Sequence, residues 1–278
     1  MIYPDIDPII VQLGPVAIRW YGMMYLVGFA SVGWLSYLRA KRRDTLLSTN
    51  QIEDLIFYGA IGAILGGRIG YILFYTFDQW LSDPLSLLRI WEGGMSFHGG
   101  LLGVLTALYL FGRRYQFSVL SVTDFVAPML PLAIFFGRIG NFINGELWGA
   151  PTSVSWGMQV ACAERYDLCI NKLQLAPGTL LTPPLHPSQL YEAFLEGFVL
   201  FVFLWWYSAK PRTVPTISGL FLIGYGSFRF AIEWVRMPDS HLGYLAFDWL
   251  TMGQLLSIPM IIFGLVLLGI AARKSVQR

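Results

Sequence analysis

Long apolar runs, interrupted by short polar segments, set the rhythm of this chain. Windows of about 20 apolar residues, enough for a helix to span a bilayer, fall near 17–38, 53–76, 95–112, 119–137, 189–208, 217–236 and 250–271. The pattern predicts an all-α integral membrane protein with about seven transmembrane helices. Its basic residues cluster in alternate connections: Arg39, Lys41, Arg42 and Arg43, then Arg113 and Arg114, then Lys210 and Arg212, then Arg273, Lys274 and Arg278. These are 11 of the 19 Lys and Arg, and the positive-inside rule places them in the cytoplasm. The N-terminus then lies outside and the C-terminus inside. The opening MIYPDIDPII lacks a basic n-region and a small-residue cleavage site, so the first helix is expected to direct insertion itself.

The same topology puts the acidic N-terminal tail, residues 77–94, residues 138–188 and the MPDSHLG loop on the outer face. No low-complexity or charged linker divides the chain, so residues 1–278 read as a single polytopic membrane domain. A small outer cap is inserted between helices four and five, over about 150–182. Its ends, Ala150-Pro151 and LTPPLHP at 181–187, are extended in character. Cys162 and Cys169 fall inside it, as either a disulfide or two free thiols. Their C-x6-C spacing without a neighbouring His is not a metal pattern.

Composition agrees with the hydropathy pattern, with 55% hydrophobic and 13% charged residues. The net charge of +2 is accounted for by the topology and leaves no basic patch for nucleic acid, so that class is set aside.

Against this background the polar residues inside apolar runs carry the information, because ionisable groups in hydrocarbon are costly. Arg68, Arg138 and Arg229 lie on the second, fourth and sixth predicted helices, toward their outer ends. GGRIGY at 66–71 and FGRIGN at 136–141 repeat the same four residues around the first two, an echo short enough to arise by chance. The planar guanidinium fork suits phosphate oxygens, so the three arginines could form an anion site. Equally, Glu146, Glu192, Glu196, Glu233 and Asp124 could neutralise them as packing salt bridges. In GYGSFRFAIEWVRMP, residues Tyr225, Arg229, Glu233 and Arg236 form one polar stripe on a helical face. Glu233 could simply pair with Arg229, or orient it toward a ligand.

WEGGMSFHGG sets His98 among four glycines at the outer mouth of the third helix. An imidazole there can take a proton near neutral pH. His186 in HPSQLYE reads as a residue that pins the start of the fifth helix, and His241 as loop. Trp20 and Trp148 read as headgroup-belt anchors, while the phenol of Tyr21 could donate to a phosphate. GRIGNFINGELWG, residues 137–149, packs Arg138, Asn141, Asn144 and Glu146 into nine positions. There is no nucleophile elbow, no paired His at metal spacing and no Asp cluster for magnesium. No metal or cofactor is expected, and no enzyme nucleophile stands out.

GRIGNFINGELWG resembles the signature of the bacterial prolipoprotein diacylglyceryl transferase family. RWYGMMYLVGF, GGRIGY, GGMSFHGG, HPSQLYE and SGLFLIGYGSFRFAIEWVRMPD resemble that family's segments in the same order, leaving out the cap. The resemblance implies an enzyme of the bacterial inner membrane. It would transfer the diacylglyceryl group of phosphatidylglycerol to the lipobox cysteine thiol of signal-peptide-bearing preprolipoproteins, releasing glycerol phosphate. It also implies that Arg138 and Arg229 stabilise the departing phosphate and that His98 helps ionise the thiol. Tyr21, Asn141, Glu146, Gly149, Tyr225 and Glu233 match family positions for substrate binding or support. Arg68 is added to the substrate-binding set from its position alone. Two other classes remain open: an organic-anion or lipid transporter that binds phosphate transiently, and a structural membrane protein in which every arginine is internally paired.

Overall fold

The backbone hydrogen bonds of the apolar windows are satisfied within helices, the arrangement that hydrocarbon demands. The computed structural model describes the whole chain except residues 5, 15, 42–45, 91–92, 164, 238–242, 244, 247–248 and 277–278. His241 lies outside the described residues. Among the described residues ten α-helices follow a short hairpin: α1 Trp20–Ala40, α2 Thr49–Tyr75, α3 Phe77–Ser82, α4 Phe97–Tyr115, α5 Val119–Val126, α6 Leu130–Ile143, α7 Ser188–Glu192, α8 Leu200–Tyr207, α9 Thr216–Ile232 and α10 Met252–Val276. A π-helical stretch, Ala193–Val199, joins α7 to α8, so Ser188–Tyr207 is one helical run of 20 residues.

Among the described residues three stretches are long and apolar enough to cross a membrane: Thr49–Tyr75, Ser188–Tyr207 and Met252–Ser275. The pair α5 and α6, taken as one broken span, makes a fourth. In the last of the three only 22% of the apolar window is buried within the protein. Leu255, Leu256, Ile262, Phe263, Leu265 and Val266 are exposed, a surface that suits lipid and not water. The other predicted windows coincide with α1, α4 and α9, and α9 has only 17 residues.

Two departures from the sequence reading are local. Residues 17–19 belong to an antiparallel hairpin, β1 Ile9–Leu13 with β2 Val16–Arg19, so α1 begins at Trp20 and the chain is not wholly α. The window 119–137 is interrupted between Val126 and Leu130, where Pro128 lies in the break and Pro131 in the first turn after it; proline removes a backbone donor and crowds the preceding turn.

The chain divides into two compact units, Gly33–Val126 and Met1–Val32 with Ala127–Arg278. In the first, α2 and α4 pack backbone to backbone. A Cβ on Gly103 would meet the carbonyl oxygen of Gly62 at 2.0 Å and Cα of Gly66 at 2.8 Å. Only glycine permits that approach, the small-residue packing typical of membrane helices.

In the second unit one core gathers Ala127, Leu200, Leu204 and Ile217, with Tyr225 and Phe228 against it. Another gathers Tyr3, Trp148, Val160 and Leu185. The 150–182 segment is knitted by isolated bridges, Pro151 and Met158 to Leu185 and Ala161 to Leu181. The N-terminal tail joins it, as the Tyr3 amide donates to Gln159 O at 2.9 Å and the Gln159 amide to Met1 O at 2.8 Å. Cys162 and Cys169 are joined in a disulfide, which decides between the two alternatives left by the sequence.

Candidate active site

α6, the run from α7 into its π-helical stretch, and α9 bring together the charged residues of the second unit. Glu192 and Glu196 both have fully buried side chains. Glu192 Oε1 accepts from Arg229 Nη1 at 2.7 Å and from Arg236 Nη1 at 2.7 Å. Its Oε2 lies 3.2 Å from Arg138 Nη1. Glu196 Oε2 lies 3.5 Å from Arg138 Nη2. Glu233 Oε1 takes Arg229 Nη2 at 2.6 Å and Arg236 Nε at 3.2 Å, and its Oε2 accepts from the Thr251 hydroxyl at 2.8 Å. Tyr225 shares a hydrogen bond with Arg138.

Three arginines and three glutamates thus interlock in one buried network, where each charge finds its counter-charge as low-dielectric burial requires. The π-helical turn changes the helical phase just after Glu192, a feature frequent at functional sites.

The turn after α6 continues the cluster. Asn141, buried, donates to Glu146 Oε1 at 2.7 Å, and Asn144 approaches the same oxygen at 3.5 Å. Glu146 is itself exposed. Gly145 and Leu147 have φ of +64° and +60°, which turns the chain sharply. The side chains of Gln189 and Ser188 donate to the carbonyls of Glu146 and Leu147. Tyr21, on α1, packs its ring on Gly140; its hydroxyl shares a hydrogen bond with Tyr25 at 3.0 Å and lies in the field of Asn141 and Glu146.

Gly149 is wedged between the backbones of His186 and Val235: its amide donates to His186 O at 2.9 Å, and a Cβ there would meet Val235 O at 2.4 Å. It forms a bridge with Arg236, so the absence of a side chain at 149 sets where Arg236 starts. His186 pins the start of α7, its Nδ1 lying 3.1 Å from the Tyr191 hydroxyl, and burial holds its imidazole below the ordinary range. Trp148, expected as a belt anchor, is 4% exposed. Its indole donates to Gly145 O at 2.8 Å and packs edge-on to Tyr3, because the cap and tail cover it.

His98 and Arg68 belong to the other unit. His98 is exposed near the start of α4. Its ring meets Phe97 edge-on, and no hydrogen bond to it occurs among the described residues. Beneath it Ser96 is held by two bonds: its amide donates to Gly67 O at 2.9 Å and its hydroxyl caps the Gly99 amide at 3.2 Å. Arg68 is 6% exposed and donates to the carbonyls of Ser86, Leu87, Arg89, Gly93 and Gly94. A guanidinium has five N–H groups, so none is left over for a phosphate; Arg68 folds the segment that leads to His98. Asp124, considered above as a counter-ion, is in this unit too.

The residue that sequence reasoning undervalued is Glu192, which it considered only as one neutraliser among five. Two glutamates four apart in an apolar span are the signal that marked it.

A family model described as prolipoprotein diacylglyceryl transferase matches residues 8–270. The chain is 52% identical over 275 residues to the phosphatidylglycerol–prolipoprotein diacylglyceryl transferase of Methylococcus capsulatus, covering 98% of both chains. To that of a Marinomonas species it is 52% identical over 262 residues, covering 94% of this chain and 91% of the relative. To that of Psychrobacter arcticus it is 47% identical over 285 residues, covering 99% and 97%. With similarity of this extent running through the arginine network, the Asn141 turn and the glycines around His98, the chain belongs to the prolipoprotein diacylglyceryl transferase family.

Proposed function

We propose that the protein transfers the diacylglyceryl group of phosphatidylglycerol to the lipobox cysteine of preprolipoproteins. The observation that carries this reading is the meeting of Arg138 and Arg229, from α6 and α9, on one buried carboxylate. Two guanidinium groups held in fixed planes form a preorganised receptor for a phosphate.

In the reaction the cysteine sulfur attacks the glyceryl carbon and forms a thioether. The carbon–oxygen bond to phosphate breaks, and its electron pair leaves with glycerol phosphate. The thiol must ionise, since a free thiol has a pKa of about 8.5. His98, exposed and unencumbered, takes that proton. Arg138 and Arg229 stabilise the charge gathering on the phosphate oxygen. The substrate supplies the nucleophile, so no covalent enzyme intermediate is needed.

Tyr21, Asn141, Glu146 and Tyr225 line the approach to Arg138, while Glu233 orients Arg229. Gly149 contributes through its packing. Arg68, with its donors occupied, acts on the path of residues 86–89 and of Gly93 and Gly94 and not on lipid. The chain crosses the bacterial inner membrane seven times as one polytopic domain, α1, α4 and α9 completing the set. The N-terminus and the 150–182 cap face the periplasm, and the basic connections face the cytoplasm.

The test is direct. The purified protein in detergent is incubated with phosphatidylglycerol and a lipobox peptide containing one cysteine, with a Cys→Ser peptide and a chelator as controls. The expected result is a diacylglyceryl mass gain that requires the thiol, accompanied by glycerol phosphate. Lipid binding without any change in peptide mass would favour transport instead.

A further inference from the structure

Among the described residues, Glu192 is the only carboxylate that touches both arginines assigned to the phosphate. Glu196 reaches Arg138 alone, and Glu233 reaches Arg229 and Arg236. Glu192 takes Arg229 and Arg236 on one oxygen and Arg138 against the other. It is fully buried and stands at the last residue of α7, where the helix passes into the π turn. We propose that Glu192 is the positioning residue of the site, a single carboxylate that fixes the planes of the Arg138 and Arg229 forks relative to each other. The proposal rests on the transferase reading above.

Two physical consequences separate this role from ordinary packing. Each fork gives one amino group to Glu192, Nη1 in both Arg138 and Arg229, while Nη2 goes to Glu196 in the one and to Glu233 in the other. Fixing one edge of a planar fork fixes the direction of the rest. The formal charges of Arg138, Arg229, Arg236, Glu192, Glu196 and Glu233 also cancel. A neutral amide at 192 therefore leaves one uncompensated positive charge beside an anionic headgroup. The headgroup should be held more tightly and reacted more slowly, because charge is retained while the preorganisation needed at the transition state is lost.

The experiment compares the full-length wild type with Glu192→Gln in detergent. It measures steady-state transfer from phosphatidylglycerol to a lipobox peptide, and glycerol phosphate binding by calorimetry. The expected result is a fall in kcat of about 100-fold, together with a lower lipid KM and tighter glycerol phosphate binding. A kcat within threefold of wild type overturns the proposal. So does a joint loss of turnover and binding, which a merely damaged fold would give.

If Glu192→Gln does not fold, Glu192→Asp keeps the charge but withdraws the carboxylate by one methylene. Turnover should then fall with KM and glycerol phosphate binding unchanged, and full turnover overturns the role. A wild type that binds glycerol phosphate yet never lipidates the peptide refutes the transferase reading. The calorimetric comparison still tests whether Glu192 governs the arginines.

Discussion

The side-chain amide of Asn141 donates to the carboxylate of Glu146 across 2.7 Å, and the Glu146 amide returns a bond to the Asn141 carbonyl at 3.1 Å. The two residues hold each other across the turn that ends α6. Asn141→Asp replaces the donor with a second carboxylate, and like charges at that distance cannot both ionise comfortably. Transfer is expected to fall at least about tenfold, as one pKa unit of such repulsion corresponds to a factor of ten. Adding Glu146→Gln restores a donor–acceptor pair in the opposite sense. The double variant should recover part of the loss in the peptide-mass assay, and no recovery would mean that Glu146 serves through its charge.

Arg138 is the test of the fork. Its two amino groups face different carboxylates, Glu192 and Glu196, and a lysine ammonium is a point charge that cannot span both. Arg138→Lys should remain folded, keep lipid binding within a few-fold, and lose about 100- to 1,000-fold in kcat, the scale seen when one preorganised donor is removed from an active site. A fully active lysine variant would remove Arg138 from the chemistry.

Gly103 tests the seam between α2 and α4. A methyl group there collides with the Gly62 carbonyl, which belongs to backbone and cannot rotate away. Gly103→Ala is expected to cost about 1–3 kcal/mol through overpacking, read as a lowered midpoint of thermal unfolding in detergent. Gly59, where a Cβ meets nothing within 4 Å, provides the control: Gly59→Ala should leave the midpoint unchanged or raised.

His98 is assigned to proton removal, and the nature of the nucleophile can isolate that step. His98→Gln should nearly abolish transfer to a cysteine peptide. A selenocysteine peptide, whose selenol ionises without help, should recover a large part of the rate. Equal loss with both peptides would make His98 a residue that orients substrate and not a base.

Hydropathy and charge made most of the helices legible, and the cost of burying arginine made Arg138 and Arg229 visible before any geometry. Backbone events were less visible. The window at 119–137 runs on through Ala127, Pro128 and Met129 because hydropathy registers side chains and not lost amide donors. Val16 to Arg19 form a strand because the tail folds back to pair with them, a tertiary event outside any local window. Trp148 has the composition of a belt residue, and only the covering by Tyr3 and Leu185 makes it core. Glu233 sits between Arg229 and Arg236 in sequence, but Glu192 has no lysine or arginine near it; that it touches three arginines follows from how α6, α7 and α9 pack.

Arg68 spends its donors on main-chain carbonyls alone, and a carbonyl is the same in every residue. The clamp is therefore blind to the side chains of the segment it folds. It fixes the course of 86–89 and of Gly93 and Gly94, so exposed side chains beside it such as Leu85 and Leu88 can be exchanged to suit different neighbours without moving the residues that lead to His98.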